Sequence, residues 1–153
     1  MTDATLIGKV LSDARQRALV NNLPYAGALT PQEAYQVVQL DPNTVLVDVR
    51  SRAELDLVGR VPTATLIEWA FYPGMAANPD FAAQLDAKID KDSVVIFMCR
   101  TGGRSHHAAA VAQQLGFKQA YNMIEGFEGE PNAAKQRTFI NGWKHAGLPW
   151  TNA

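Results

Sequence analysis

The chain reads as an α/β domain with a mainly parallel sheet covered by helices on both faces, and three features of its 153 residues lead there. Two short runs, Thr44 to Val49 and Ser93 to Met98, are almost continuously apolar and rich in β-branched residues, as in strands buried on both sides. Helical periodicities stand before, between and after these runs, which is the alternation of a parallel sheet. Capping or turn residues mark nearly every junction. A chain of this length has room for one core and buries roughly 70% of its unfolded surface.

The elements follow in order. Leu6, Val10, Ala14 and Ala18 recur every four residues, predicting an N-terminal helix over about 5–20 that stops before Pro24. Thr30-Pro31-Gln32-Glu33 supplies an N-cap, a Pro at the first helical position and a Glu that can reach back, with Ala34, Val37 and Val38 on one face. Asp41-Pro42-Asn43 stops that helix, and Thr44 to Val49 is a central strand. Ser51-Arg52-Ala53-Glu54 repeats the capping-box spacing directly after it, so a short helix follows and closes at Gly59. Ala64 to Ile67 reads as a second short strand, Trp69 to Pro79 as a surface loop, and Phe81, Leu85 and Ile89 as one face of a helix. Ser93 to Met98 is the next strong strand and ends at Cys99. Ala108, Val111, Ala112 and Leu115 form a helical stripe capped by Gly116, Tyr121 to Ile124 is a strand, and a last helix is expected over about 133–145, ending at Gly147.

Composition narrows the function classes. Hydrophobic residues make up 47% of the chain and charged ones 19%, too much core and too little charge for a disordered segment. Fourteen Lys and Arg against fifteen Asp and Glu leave a net charge of −1, so no basic field attracts nucleic acid or an anionic membrane. No apolar run approaches the roughly 18 residues of a membrane span, and the polar-interrupted start lacks a signal-peptide core; the expectation is a cytoplasmic protein. The single cysteine, Cys99, rules out an intrachain disulfide, a Cys-x-x-Cys redox pair and a thiolate-rich zinc site. His106 and His107 are adjacent, so on a helix they point about 100° apart, and no Asp, Glu or Cys stands at ligand spacing beside them; neither a metal nor a cofactor is expected.

The chemistry centres on Cys99. Open α/β sheets bind ligands at the carboxyl ends of their strands, where Cys99 falls. The segment Cys99-Arg100-Thr101-Gly102-Gly103-Arg104-Ser105 adds two cations, two glycines that let backbone N–H groups turn toward one point, and a helix N-terminus. Each of these favours a thiolate over a thiol. Two arginines so close around glycines repel one another unless an anion sits between them, so an inert strand end is the poorer reading.

The loop resembles that of the rhodanese family of sulfurtransferases, whose active-site pattern Cys-x-x-Gly-x-Arg is matched by Cys99, Gly102 and Arg104. Asp48-Val49-Arg50 is similar to the family's first signature, and Gly59-Arg60-Val61-Pro62-Thr63-Ala64 to its Gly-His-Ile-Pro-Gly-Ala segment. Ile124-Glu125-Gly126, Gly142-Trp143 and Gly147-Leu148-Pro149 resemble its C-terminal pattern. Departures are Arg60 in place of His, Thr63 in place of Gly, and Phe127 where a second Gly commonly follows Gly126. The resemblance places a rhodanese-like domain at 28–150 behind an N-terminal helical extension at 1–27. It implies a five-stranded parallel sheet and a cysteine that accepts a sulfane sulfur from a donor such as thiosulfate, becomes a persulfide and passes the outer sulfur on. With one cysteine in the chain the acceptor must be external: cyanide, a small thiol or a protein thiol.

On this reading Cys99 is the nucleophile, and backbone N–H groups of residues 100–104 stabilise its thiolate and persulfide. Arg104 is expected to orient the loop and help hold an anionic donor, and Arg100 to add a more exposed charge, although either could pair with a carboxylate instead. Thr101, Gly102, Gly103 and Ser105 complete the binding loop. Trp69, Phe71, Tyr72 and Met75 are candidates for an apolar specificity lip, with core packing as the alternative. Asp48 is read as a structural brace for Arg50 or for a loop amide. The competing readings are a non-catalytic or persulfide-carrying interaction module, and a phosphatase or arsenate reductase of the related fold branch. The latter use Cys-x5-Arg to cradle a tetrahedral oxyanion, whereas Cys99 to Arg104 is Cys-x4-Arg, a tighter nest.

Overall fold

Helix α1 (Asp3–Asn21) opens the fold in a computed structural model that describes residues 2–152. It buries Ala14 and Ala18 from the stripe read from the sequence, together with Leu11, which that stripe did not include, while Leu6 and Val10 are half-buried. Strand β1 (Gly27–Leu29) follows, and helix α2 (Pro31–Leu40) starts at the predicted capping box. There the Thr30 hydroxyl accepts from the Glu33 N–H at 3.2 Å, and the Glu33 carboxylate accepts from the Thr30 N–H at 2.9 Å. Strand β2 (Val45–Asp48) and helix α3 (Arg52–Val58) are joined with almost no loop, again through a capping box at Ser51. Strand β3 (Thr65–Leu66), the short hairpin of β4 (Ala70–Phe71) and β5 (Ala76–Ala77), and helix α4 (Phe81–Lys88) lead to strand β6 (Val95–Met98). Helix α5 (Gly103–Gln114) and strand β7 (Ala120–Met123) complete the regular structure.

The main sheet has the order β1-β7-β6-β2-β3, and every neighbouring pair is parallel. Side chains alternate between its two faces. Val47, Val49, Val95, Phe97 and Cys99 pack with Phe81 and Leu85 of α4 and with Ala108, Ala109 and Ala112 of α5. Leu46, Ile96, Met98, Tyr121 and Met123 pack on the opposite side with Leu11 and Ala14 of α1 and with Ala34 and Val37 of α2. Burial on both faces is why these strands are apolar without a break.

Three expectations need correction. The sequence reading missed β1, which at three residues has no alternation to detect and forms because it pairs with β7 and lies under α1. Gly27 permits that contact, since a Cβ there would meet the Ala14 carbonyl group at 2.7 Å. The stretch from Trp69 to Pro79 is not wholly a loop, because it contains the β4-β5 hairpin.

The helix expected over 133–145 does not form; the segment is a series of turns and bends. Asn132 Oδ1 accepts from the N–H groups of Ala134 and Gln136 at 3.0 and 2.8 Å, capping the backbone locally in place of a helical ladder. Lys135 and Thr138 take positive φ values of 63° and 80°, which no α-helix accommodates. Trp143 is buried while Phe139 and Ile140 are exposed, so the segment has no continuous apolar face to bury.

Candidate active site

The strand order reverses between β2 and β6: β3 lies beyond β2 on one side, and β7 and β1 lie beyond β6 on the other. Ligands of open α/β sheets bind in the crevice outside the carboxyl ends of the strands at such a switch point. The segments that leave these two strands, Val49 to Glu54 and Cys99 to Ser105, therefore face each other.

Cys99 is 1% exposed at the end of β6 and shares its face of the sheet with Val95 and Phe97. Its sulfur accepts a hydrogen bond from the Gly102 N–H at 3.1 Å, and Ser105 Oγ lies 3.4 Å away. The backbone cradle expected from the sequence is thus represented by one close N–H donor. Gly102 takes φ +107° to begin α5 without a side-chain cap.

Arg104 reaches across the switch point to Glu54. Its two terminal nitrogens donate to the two carboxylate oxygens at 2.6 and 2.8 Å, a fork-to-fork pair. The same carboxylate accepts from the Ser51 N–H and hydroxyl at 3.2 and 3.0 Å, so the glutamate that caps α3 also anchors α5. Burial pushes the Glu54 carboxyl up, but Arg104 and Ser51 more than reverse this and bring it down to about 2. Hydrogen bonding to Glu54 in turn raises Arg104 above its ordinary value, with the charges of Glu54, Cys99 and Asp48 adding to the effect against burial. Arg104 therefore holds the loop against α3, and its charge is already balanced. Arg100 is the exposed cation at the mouth.

A second brace comes from the chain after β7. The N–H groups of Phe127 and Glu128 donate to the carbonyls of Cys99 and Arg100 at 2.8 and 3.0 Å. Gly126 crosses so close to the loop that a Cβ would stand 2.3 Å from the Arg100 carbonyl oxygen. Phe127 is fully buried, with its ring centroid 4.2 Å from the Arg50 guanidinium carbon. Arg50 itself is fully buried; Nε donates to Asp48 Oδ1 at 3.0 Å, and Nη2 to Asp48 Oδ2 at 2.7 Å and to the Gly59 carbonyl at 2.9 Å. Asp48 is thus the brace the sequence suggested, and the Phe at position 127 finds its place on Arg50.

A pocket of about 420 Å³ lined by Glu54, Val58, Tyr72, Met75, Arg100, Arg104 and Glu128 forms the mouth outside the loop, with the buried Cys99 not among its lining residues. Of the candidate lip, Tyr72 and Met75 line this pocket. Trp69 instead packs edge-on against Phe81 at 4.9 Å and stacks on His107 at 6.5 Å, and Phe71 is exposed outside the lining. Thr101 and Gly103 belong to the loop without a side-chain bond to the sulfur. His106 Nδ1 lies 2.7 Å from the Tyr25 hydroxyl. Among the described residues no group of three or more His, Cys, Asp or Glu could hold a metal ion, and no helix is long and apolar enough to cross a membrane.

Sequence reasoning missed three contributors. Glu54 was legible only as a cap, although a cap on the helix that follows the neighbouring strand already stands at the carboxyl edge of the sheet. Asn122 is 4% exposed and bonds Ser105 and the Gly102 carbonyl; as a polar residue inside a predicted strand it was a detectable signal. The hold of residues 126–128 on the loop had no local signal.

Comparison with known proteins agrees with this geometry. The family model described as Rhodanese-like domain matches residues 30–129. An uncharacterized protein of Rickettsia conorii is 36% identical over 120 residues, covering 77% of this chain and 91% of that protein. The thiosulfate sulfurtransferase GlpE of Actinobacillus succinogenes is 30% identical over 125 residues, covering 82% of this chain and 90% of that protein. The crystal structure of Rv0390 from M. tuberculosis superposes with a TM-score of 0.78 at 39% identity, covering 84% of this chain and 99% of that one. With a Cys-x-x-Gly-x-Arg loop at the switch point of a five-stranded parallel sheet, and a family match across most of its length, this chain belongs to the rhodanese-like domain family.

Proposed function

We propose that this protein is a sulfurtransferase that carries sulfane sulfur as a persulfide on Cys99. The observation that carries the reading is the placement of the one cysteine at the carboxyl end of β6, with the Gly102 N–H 3.1 Å from its sulfur and two arginines beside it. In the first half-reaction the Cys99 thiolate attacks the outer sulfur of a donor such as thiosulfate. A bond forms to Sγ, the donor's sulfur-sulfur bond breaks, and sulfite leaves with the electron pair. In the second, a nucleophile such as cyanide or a thiol attacks the outer sulfur of the persulfide, and the electron pair of that sulfur-sulfur bond returns to Sγ. Arg100 at the mouth meets the donor's oxygens, while Arg104 and Glu54 keep the loop in place.

The same reading takes 28–150 as the family domain and 1–27 as a helical extension to it. It sets the reaction in a cytoplasmic, reducing environment, where a lone thiol stays free. A dedicated carrier that hands its sulfur to a protein thiol is a variant of this reading, favoured by the exposed Tyr72 and Met75 at the mouth.

The test is the intact mass of the reduced protein before and after thiosulfate or polysulfide, and again after cyanide, with Cys99→Ser in parallel. The expected result is a gain of one sulfur, reversed by cyanide and absent in the variant. No gain from either donor refutes the reading.

A further inference from the structure

The Cys99 sulfur is joined to a line of buried polar groups outside its own loop. Ser105 Oγ lies 3.4 Å from Sγ and 2.6 Å from Asn122 Oδ1. Asn122 Nδ2 donates to the Gly102 carbonyl at 3.2 Å and toward the Tyr25 hydroxyl at 3.4 Å. The Tyr25 hydroxyl in turn stands 2.7 Å from His106 Nδ1. Ser105 is fully buried and cannot exchange a partner for bulk water, while Asn122 and Tyr25 are almost fully buried at the wall of a neighbouring pocket.

An inventory of protons decides the direction of the line. A carbonyl oxygen can only accept, so the nitrogen end of the Asn122 amide must face Gly102, and its oxygen end faces Ser105. Ser105 has one hydroxyl proton for two acceptors in reach, Asn122 Oδ1 at 2.6 Å and the Cys99 sulfur at 3.4 Å, and the short bond to the amide oxygen holds it. What Ser105 has left for Cys99 is a lone pair. On the Ser105 side the arrangement suits an uncharged Sγ: the S–H of the resting thiol, or the inner sulfur of a persulfide, whose charge sits on the outer atom. A bare thiolate could claim the Ser105 proton only by leaving Asn122 Oδ1 unpaired in a buried wall, which is costly.

We propose that Asn122 is a positioning residue that commits the Ser105 proton away from the sulfur, so that the unloaded thiolate keeps the Gly102 N–H bond but lacks the Ser105 one, and is less favoured relative to the loaded persulfide than it would be with both. The effect is retention: sulfur stays on Cys99 until an acceptor takes it. This rests on the sulfurtransferase reading for its consequence but not for its test. When the acceptor removes the outer sulfur, the electron pair of the breaking bond returns to Sγ, and the proton that neutralises it comes from the acceptor thiol or from water.

The experiment measures the rate of Cys99 alkylation by iodoacetamide at one fixed pH, followed by intact mass, in wild type, Asn122→Ala, Ser105→Ala and the double variant. Asn122→Ala frees the Ser105 proton for the sulfur and is expected to alkylate about ten to a hundred times faster, the effect of one hydrogen bond to a charged group. Ser105→Ala is expected to alkylate no more slowly than wild type, and adding Asn122→Ala to it to change nothing further. A purely structural role for Asn122 would alter the rate equally in both backgrounds, and that result overturns the proposal. So does Ser105→Ala slowing alkylation, because the hydroxyl would then have been donating to the sulfur all along. Ser105→Ala removes a single oxygen, so it decides the matter by itself if Asn122→Ala does not fold. Alkylation needs no sulfur transfer: a wild type that never gains sulfur sinks the proposed function, while these rates separately decide the role of Asn122.

Discussion

Gly126→Ala probes the brace on the Cys99 loop most directly. Gly126 sits at φ +73°, and an added Cβ would stand 2.3 Å from the Arg100 carbonyl oxygen, 2.4 Å from its carbon and 2.5 Å from the Thr101 nitrogen. Ordinary contact begins at 3.4 Å, so the two backbones must part by about 1 Å, and backbone cannot swing aside as a side-chain tip would. That separation breaks or stretches the bonds from the Phe127 and Glu128 N–H groups to the Cys99 and Arg100 carbonyls. Two backbone hydrogen bonds at about 1 kcal/mol each, with about 1 kcal/mol for an alanine in the left-handed region, give a loss near 3 kcal/mol. For a chain of this size that is a fall in Tm of roughly 6–12 °C. A displacement of about 1 Å at a reacting atom costs on the order of 100-fold in rate, and Cys99 is the residue whose carbonyl is released. Urea denaturation followed by circular dichroism gives the stability, and the rate of sulfur loading from thiosulfate by intact mass gives the activity. A variant with the wild-type urea midpoint and the wild-type loading rate would falsify the brace.

Three further outcomes follow from the same geometry. Glu54 is held at about 2 against an ordinary value of 4.5, so its pairing stabilises the fold above pH 4.5 and is lost as pH falls toward 2; Arg104→Ala should flatten the acid dependence of the urea midpoint across that window, and an unchanged slope would contradict the pairing. Asp48→Ala strands a fully buried guanidinium beneath Phe127 and should cost about 3–5 kcal/mol in urea denaturation; a variant as stable as wild type would mean that Asp48 does not hold Arg50. Arg100→Gln removes the exposed charge at the mouth and should raise KM for thiosulfate while leaving kcat and Tm nearly in place, so an unaltered KM would remove Arg100 from donor binding.

The sequence by itself determined four of the five main-sheet strands, all five helices and the candidate nucleophile, because those signals are local. Unbroken apolar runs ending at Asp48 and Cys99 require burial on both faces, and capping boxes at Thr30 and Ser51 satisfy the first N–H groups of the helices they begin, whatever the rest of the chain does. The cysteine among glycines and arginines at a strand end is equally a local pattern. Local signals were weakest where the outcome depends on distant partners. Strand β1 exists through its pairing with β7, and residues 133–145 are held in turns by Asn132 and by the bond from the Thr138 N–H to the Glu128 carbonyl. The division of labour between the arginines was likewise a tertiary decision. Composition places two cations beside Cys99, but only the packing of α3 against α5 turns Glu54 toward Arg104, neutralises that charge and leaves Arg100 at the mouth. The partner offered to Ser105 is likewise tertiary, an amide on β7 that lies 17 residues away in the chain and 2.6 Å away in space.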